Sequence, residues 1–508
     1  MNHLVILPVL IPLTAALVLL LLPRTARGWV ATGAMAFSLA ASGRLLWAVG
    51  ESGQAQLFHS GGWFVAGMPV GITLVADWLS ALFVVMGQLV LLAGFIYALG
   101  SREQVVHYPT FYTLFLLLAT GLSGAFLTGD LFNLFVFAEL LVISGTILTA
   151  VADDRYGVEA AFKYFYISLL AAAFLLLASG ALYISYGTLN MAQLGEAIAA
   201  EATPLALVAA GLLLATFMVK SATVPFHFWQ PDFHAAAPTP VSASLSSVVV
   251  KLGVYGYLRL TTLLFVEQAA LIQDVLLVAG VVGILFGGLA AIGTHNAKRM
   301  LAYSTLAQIG FILVGVGWGT PLSIAAALVF AFNHALIKAA MLMMAGAVAS
   351  RARIKSADFV HITAVGQRYP QLGLLFFVGA LALAGIPPTN GFVSKLLIFS
   401  SGIAAARYVT LALIALASVL TLIYTMRAFV RIWWRTADAE LPLKRGDRLI
   451  GPALLIALVL LIGLWADPLV TVATETARWL ESPQPYIQAV LGQPALTESG
   501  VSAYLAGR

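Results

Sequence analysis

The chain is a succession of apolar runs of roughly 18–30 residues separated by short polar joints. A helix needs roughly 20 apolar residues to cross a bilayer core, whereas a barrel strand is shorter and alternates in polarity. Runs of this length predict an all-α, polytopic membrane protein. Fourteen spans are expected, at about 3–22, 28–49, 72–100, 109–127, 131–150, 161–185, 205–228, 240–265, 271–293, 300–318, 321–349, 371–401, 405–432 and 449–468. Turn chemistry at Pro23, Gly187, Pro204, Pro231 and Pro238 marks the joints. The first run, Leu4 to Leu22, has no Lys or Arg before it and no small-x-small cleavage site behind it, so it reads as a span rather than a signal peptide. The longest polar stretch, Asp467 to Arg508, reads as an external tail too short for a core of its own.

Composition narrows the function. Hydrophobic residues make up 61% of the 508 and charged residues 9%, with a mean hydropathy of +0.99. A soluble domain carries about 25% charged residues, so a soluble enzyme, a nucleic-acid binder and a disordered protein are excluded. Cysteine is absent, which removes disulfides, cysteine-ligated clusters and thiol chemistry from this chain. The net charge of +5 encodes topology. Arg24, Arg27, Arg102, Arg155, Lys163, Lys298, Arg299, Arg351, Arg353, Lys355, Arg368, Arg427, Arg431, Arg435, Lys444, Arg445 and Arg448 follow odd-numbered segments. Only Arg44, Arg259, Arg407, Arg478 and Arg508 fall on the other side. The positive-inside bias then places the odd loops in the cytoplasm and both termini outside a bacterial-type cytoplasmic membrane.

Five charges sit inside apolar segments: Glu139, Lys220, Lys251, Lys338 and Lys395. Each costs roughly 2.5–3.5 kcal/mol at a helix centre unless paired, hydrated or neutralised. Four lysines cannot all pair with one glutamate, and a lysine in low dielectric exchanges its proton more readily, which a nearby carboxylate opposes. The pattern points to a proton relay rather than structural ion pairs or snorkelling amines. His334 lies one turn before Lys338 in Asn333-His334-Ala-Leu-Ile-Lys338, on the same helix face. His227 and Asp77 are accessory candidates, the first near a helix end and the second at the outer start of the third span.

Two spans are expected to be broken. Lys220 precedes Ser-Ala-Thr-Val-Pro225, and the twelfth segment holds Gly385-Ile-Pro387-Pro388-Thr-Asn-Gly391 ahead of Lys395. Broken helices bearing ionisable groups at matching places in two halves mark an ion path built on inverted repeats. Spans 4–8 and 9–13 are the two five-helix repeats. The corresponding divisions are 1–108, 109–265, 271–432 and 449–508.

These residues are similar to those of a known family. The chain resembles, over essentially all its spans, the antiporter-like subunits shared by respiratory complex I and the Mrp (multiple resistance and pH) cation/proton antiporters. The resemblance rests on Glu139, Lys220 before its proline, Lys251, Asn333-His-x-x-x-Lys338 and Lys395 after Gly-Ile-Pro-Pro. It is greatest toward the D-subunit branch of the Mrp antiporters. There the opening Asn2-His-Leu-Val-Ile-Leu-Pro-Val-Leu-Ile-Pro12, Gly124-Ala-Phe-Leu-Thr-Gly-Asp130, Gly187-Thr-Leu-Asn-Met-Ala192, Asp467-Pro468 and Pro485-Tyr-Ile487 are similar. Pro225-Phe-His-Phe-Trp-Gln-Pro231 departs toward complex I, because that branch often has tyrosine where His227 stands. The resemblance implies that the buried residues form the proton path, with Glu139 and Lys220 coupled.

The expected function is proton translocation within a multisubunit sodium/proton antiporter, with other membrane subunits as partners, no cofactor and no catalytic centre. A membrane subunit of a redox-driven proton pump is the alternative, and neighbouring subunits with cysteine-rich cluster motifs would mark it. A stand-alone solute symporter has no pocket-like motif to support it. With one deep carboxylate against four lysines, sodium is expected to cross elsewhere in the complex.

Overall fold

The computed structural model describes residues 2–62, 64–65, 68–69, 71–151, 155–435 and 445–492. Lys444, Arg508 and the end of the tail from 493 lie outside the described residues. Helices occupy every apolar segment: α1 (Leu7–Leu21), α2 (Arg24–Ser52), α3 (Trp78–Leu99), α4 (Phe111–Leu127), α5 (Leu131–Ala150) and α6 (Arg155–Tyr186). A short α7 (Met191–Ala200) leads to α8 (Pro204–Lys220) and α9 (Trp229–Ala236). Then come α10 (Thr239–Leu264), α11 (Ala269–Gly293), α12 (Ala297–Gly317) and α13 (Pro321–Ala349). The chain continues through α14 (Pro370–Ala384), α15 (Asn390–Ala404), α16 (Tyr408–Trp434), α17 (Ile450–Leu464), α18 (Asp467–Trp479) and α19 (Gln484–Leu491). Among the described residues, eight helices are each long and apolar enough to cross a bilayer, or nine if α17 and α18, bent by 78°, form one span. The protein is a multi-pass membrane protein.

Sequence sets the helix ends. Asp77, Asp130, Asn190 and Asn296 cap α3, α5, α7 and α12 with side-chain acceptors. Pro204, Pro321 and Pro370 occupy first turns, where a missing N–H costs nothing. The two expected breaks are present. α8 stops at Lys220, and residues 221–228 turn before α9; α14 stops at Ala384, and 385–389 turn before α15. Two glycines make the second break possible. Gly385 sits at φ 82°, and a Cβ at Gly391 would collide with the Ala382 carbonyl.

Burial separates helices that hydropathy alone does not. The most apolar windows of α10 and α13 are wholly buried and that of α12 nearly so, whereas α16 keeps most of its surface facing outward. These inner helices carry Lys251, His334 and Lys338. α10 is interrupted by wider π-type turns at Leu245–Val249 and Leu260–Leu264, on either side of the Lys251 turn.

Several expectations are corrected. The third segment does not begin at 72: Thr73–Ala76 is a strand (β2) paired antiparallel with Gln56–His59 (β1), and the helix starts at Trp78. Arg259 is not an outer-loop residue. It is buried in α10 and grips Asp77 bidentately, Nη1 to Oδ2 at 2.7 Å and Nη2 to Oδ1 at 2.8 Å. Lys298 is likewise buried in the first turn of α12, donating to the Ala237 carbonyl. The stretch after Asp467 is not a free tail. α18 and α19 fold back, with Trp479 Nε1 donating to Asp77 and the Tyr486 ring under Arg259. A polar stretch could do this because each short helix buries one side, Ala473, Thr476 and Ala477 in α18 and Tyr486, Ile487 and Val490 in α19.

The Asp77–Arg259 pair therefore joins α3, α10, α18 and α19. Removing one partner leaves a buried, unpaired charge. Arg259→Gln is expected to cost about 3–5 kcal/mol of stability, while adding Asp77→Asn returns a large part of it. Melting of the detergent-solubilised protein checks this, the double variant lying above the single one.

Candidate functional site

The site comprises Lys251, His334 and Lys338 on the inner helices, with Glu139 and Lys220 on α5 and α8 and Lys395 on α15. Glu139 projects from the middle of α5, and Lys220 is the last residue of α8. Their closest approach is 4.0 Å, Nζ to Oε1, and neither atom has a hydrogen bond. The pair is thus coupled by charge without being locked by a proton-sharing contact. α8 and α10 cross tightly beside it, since a Cβ at Gly253 would come within 2.5 Å of the Phe217 carbonyl.

Lys251 continues the row. Its Nζ lies 2.6 Å from His334 Nδ1, and both residues are buried. At that distance one proton on the N···N line satisfies both groups, and a second would set two cations against each other. Lys338, one turn on, turns away from His334 and donates to the Leu301 carbonyl at 3.0 Å and Ser304 Oγ at 2.7 Å. Ser304 in turn meets the Tyr424 hydroxyl at 2.7 Å. The i, i+4 spacing thus shares a face without making a contact.

The break between α14 and α15 holds Lys395. Its Nζ donates to the Ala384 carbonyl at 2.8 Å and lies 5.4 Å from the centre of the Phe311 ring. The side chain crosses the break over Gly385, where a Cβ would sit 2.5 Å from Lys395 Cδ. Asn333 holds the break against α13, donating to the Asn390 carbonyl and Ser394 Oγ and accepting from Asn390 Nδ2. His334 and Lys395 line one small cavity of about 10 Å³, the room of a single water. The snorkelling alternative for Lys395 does not describe this geometry, because the amine turns inward onto freed backbone.

The accessory candidates fall elsewhere. His227, in the turn after Lys220, is half-buried and packs edge-on against Phe286 of α11, 4.8 Å between ring centres. Asp77 is buried but fully engaged by Arg259, Ser80 and Trp479, so Glu139 is not the chain's one deep carboxylate.

The structure adds a residue that sequence reasoning passed over. His234, in α9, is fully buried, with Nδ1 3.4 Å from Ser242 Oγ and Nε2 without a hydrogen bond. The residues that follow it, Ala235–Thr239, wall a vestibule of about 800 Å³ that Glu103, Lys298, Arg299, Lys355 and Asp358 also line. The available signal was a second histidine seven residues after His227, flanked by Pro231 and Pro238.

Comparison with known proteins bears on the family of the chain and its fold. The family described as "NADH:quinone oxidoreductase/Mrp antiporter, TM" matches residues 128–421. The chain is 34% identical over 500 residues to the D subunit of the Na(+)/H(+) antiporter of Bacillus subtilis (strain 168), covering 97% of this chain and 100% of that one. It is 35% identical over 489 residues to the N subunit of the NADH-quinone oxidoreductase of Desulforudis audaxviator (strain MP104C), covering 91% and 94%. A chain in the Mrp complex from Dietzia sp. DQ12-45-1b superposes with a TM-score of 0.87 at 27% identity, covering 97% of this chain and 100% of that one. With its fold, its broken helices and its buried row all in one frame, the chain belongs to the NADH:quinone oxidoreductase/Mrp antiporter transmembrane family.

Proposed function

We propose that the chain is the proton-translocating subunit of a multisubunit sodium/proton antiporter, working beside other membrane subunits. The observation that carries this reading is the unlocked row from Glu139 and Lys220 through Lys251 and His334 to Lys395. Lys251 and His334 are in direct contact, His334 and Lys395 share one cavity, and only the Lys220 end has a carboxylate. The similarity to antiporter D subunits favours this reading over a redox pump. The five-helix units 109–265 and 271–432 act as the two halves, each with its lysine at a helix break.

In this mechanism a proton enters from the vestibule beside His234. When Glu139 approaches Lys220, it stabilises the ammonium there; when it withdraws, the uncompensated charge drives a proton from Lys251 toward His334. The shared Lys251–His334 proton then moves across the one-water gap to Lys395. Lys338 stores positive charge beside the row, on Ser304 and the Leu301 carbonyl. His227 and Asp77 serve at the rim and the fold respectively. Sodium crosses elsewhere in the complex, because Arg259 already neutralises Asp77 and the row itself is positive.

Two outcomes test this. Glu139→Gln or Lys220→Ala in the assembled complex abolishes cation-dependent proton movement in vesicles while the subunits still assemble; near-normal exchange in both variants refutes the pairing. The assigned orientation, with both termini outside, makes Lys395 the outer exit. Lys395→Cys in this cysteine-free chain is expected to react with an impermeant thiol reagent added outside, and labelling from the cytoplasmic side alone reverses the orientation.

A further inference from the structure

A second built pocket lies away from the proton row. Arg102 follows α3, Arg351 follows α13, and Arg445 and Arg448 flank Asp447 just before α17. With Tyr369 they line a pocket of about 630 Å³, at the ends of odd-numbered segments where basic residues concentrate.

The segment bearing two of these arginines is fixed from both sides. Asp447 is fully buried, and its carboxylate accepts from the Tyr97 hydroxyl at 2.6 Å and the Arg102 backbone N–H at 2.7 Å. Its own N–H donates to Ser350 Oγ, the Arg448 N–H donates to the Gly100 carbonyl, and Arg351 Nη2 donates to the Asp447 carbonyl. A Cβ at Gly446 would come within 2.5 Å of Ser350 Oγ, so the segment lies flat on the end of α13. The carboxylate beneath the pocket is thus already occupied. None of the four guanidinium groups forms an ion pair among the described residues. Four like charges around one pocket repel each other, and their planar forks match phosphate oxygens.

An apolar groove begins one residue along the chain, Tyr369 lining the pocket and Pro370 the groove. The Arg351 guanidinium stacks over the Tyr369 ring at 5.1 Å, while the Tyr369 carbonyl accepts from Trp433 Nε1 at 3.4 Å. The next residue, Pro370, starts α14, and Gly373, Leu374 and Phe377 form with Phe429 and Trp433 a groove of about 310 Å³. From Pro370 to Phe377 the helix runs roughly 10 Å along its axis. Leu374 and Trp434 are largely exposed on this surface. A free phosphate would use only the arginines; an amphiphile uses both parts.

We propose that this is a binding site for an anionic phospholipid. Its phosphate sits among Arg102, Arg351, Arg445 and Arg448, and one acyl chain lies along α14. The headgroup would neutralise the arginine cluster and brace the ends of α3, α13 and α17 at the charged membrane face.

The assembled complex, stripped of lipid in detergent, is titrated with dioleoyl phosphatidylglycerol, dioleoyl phosphatidylcholine or inorganic phosphate and followed by native mass spectrometry and melting temperature. Phosphatidylglycerol is expected to be retained and to raise the melting temperature more than either alternative. Combined Arg102→Gln, Arg445→Gln and Arg448→Gln is expected to weaken its retention at least about tenfold, and Leu374→Asp to weaken phosphatidylglycerol without altering any response to inorganic phosphate. Equal effects of the two lipids on the native complex, or unchanged retention in the triple variant, overturn the site. Equal stabilisation by inorganic phosphate overturns the lipid assignment. If the triple variant does not assemble, the comparison of the two lipids on the native complex and the Leu374→Asp variant decide alone.

Discussion

Two basic groups 2.6 Å apart in a membrane-buried core share one proton and cannot hold two. The Lys251–His334 contact imposes that limit, and the architecture around it follows. Both residues belong to helices whose most apolar windows are wholly buried, so little but a one-water cavity beside His334 is there to disperse a second charge. Lys338, on the same face as His334, is satisfied by a backbone carbonyl and a serine rather than by a carboxylate. Among these three groups no carboxylate closes an ion pair in the described residues, and each amine or imidazole meets only neutral partners.

The same constraint explains the broken helices. A carbonyl at the end of a helix has no i+4 N–H to accept from, so a break offers an amine an unshared acceptor. Lys395 takes the Ala384 carbonyl freed at the end of α14. Glycine at 385 lets the lysine stem cross the break, and glycine at 391 lets α15 approach α14. At the other break, Lys220 has no such acceptor and instead faces Glu139 at 4.0 Å. Equivalent places in the two halves thus stabilise their amines differently: one by a nearby carboxylate, the other by backbone. The Asp77–Arg259 pair is a third solution, two charges closed on each other with every carboxylate oxygen engaged, and it ties α3 and α10 to the helices that follow α17.

The buried lysines, the glutamate and both breaks were legible because each violates the local apolar pattern and costs free energy that something must offset. His234 was not, since a histidine in a short polar-looking stretch between prolines carries no such cost until the fold buries it. Arg259 was misplaced for a related reason. Near the end of an apolar run it reads as a loop cation, and only the partner Asp77, 182 residues away, compensates its charge when buried.

By itself, the sequence determined the membrane solvent, the helical class, the family-like row of ionisable residues and the positions of the breaks. These follow from run length, charge scarcity and proline and glycine chemistry, all properties of contiguous residues. Tertiary structure alone decided which helices are interior, that Lys251 meets His334 while Lys338 does not, that the last polar helices fold back, and that four arginines from distant loops surround one pocket. Hydropathy cannot distinguish a helix surrounded by protein from one surrounded by lipid, because both environments exclude water equally. Contacts between residues far apart in the chain depend on how helices cross, and no local pattern records that.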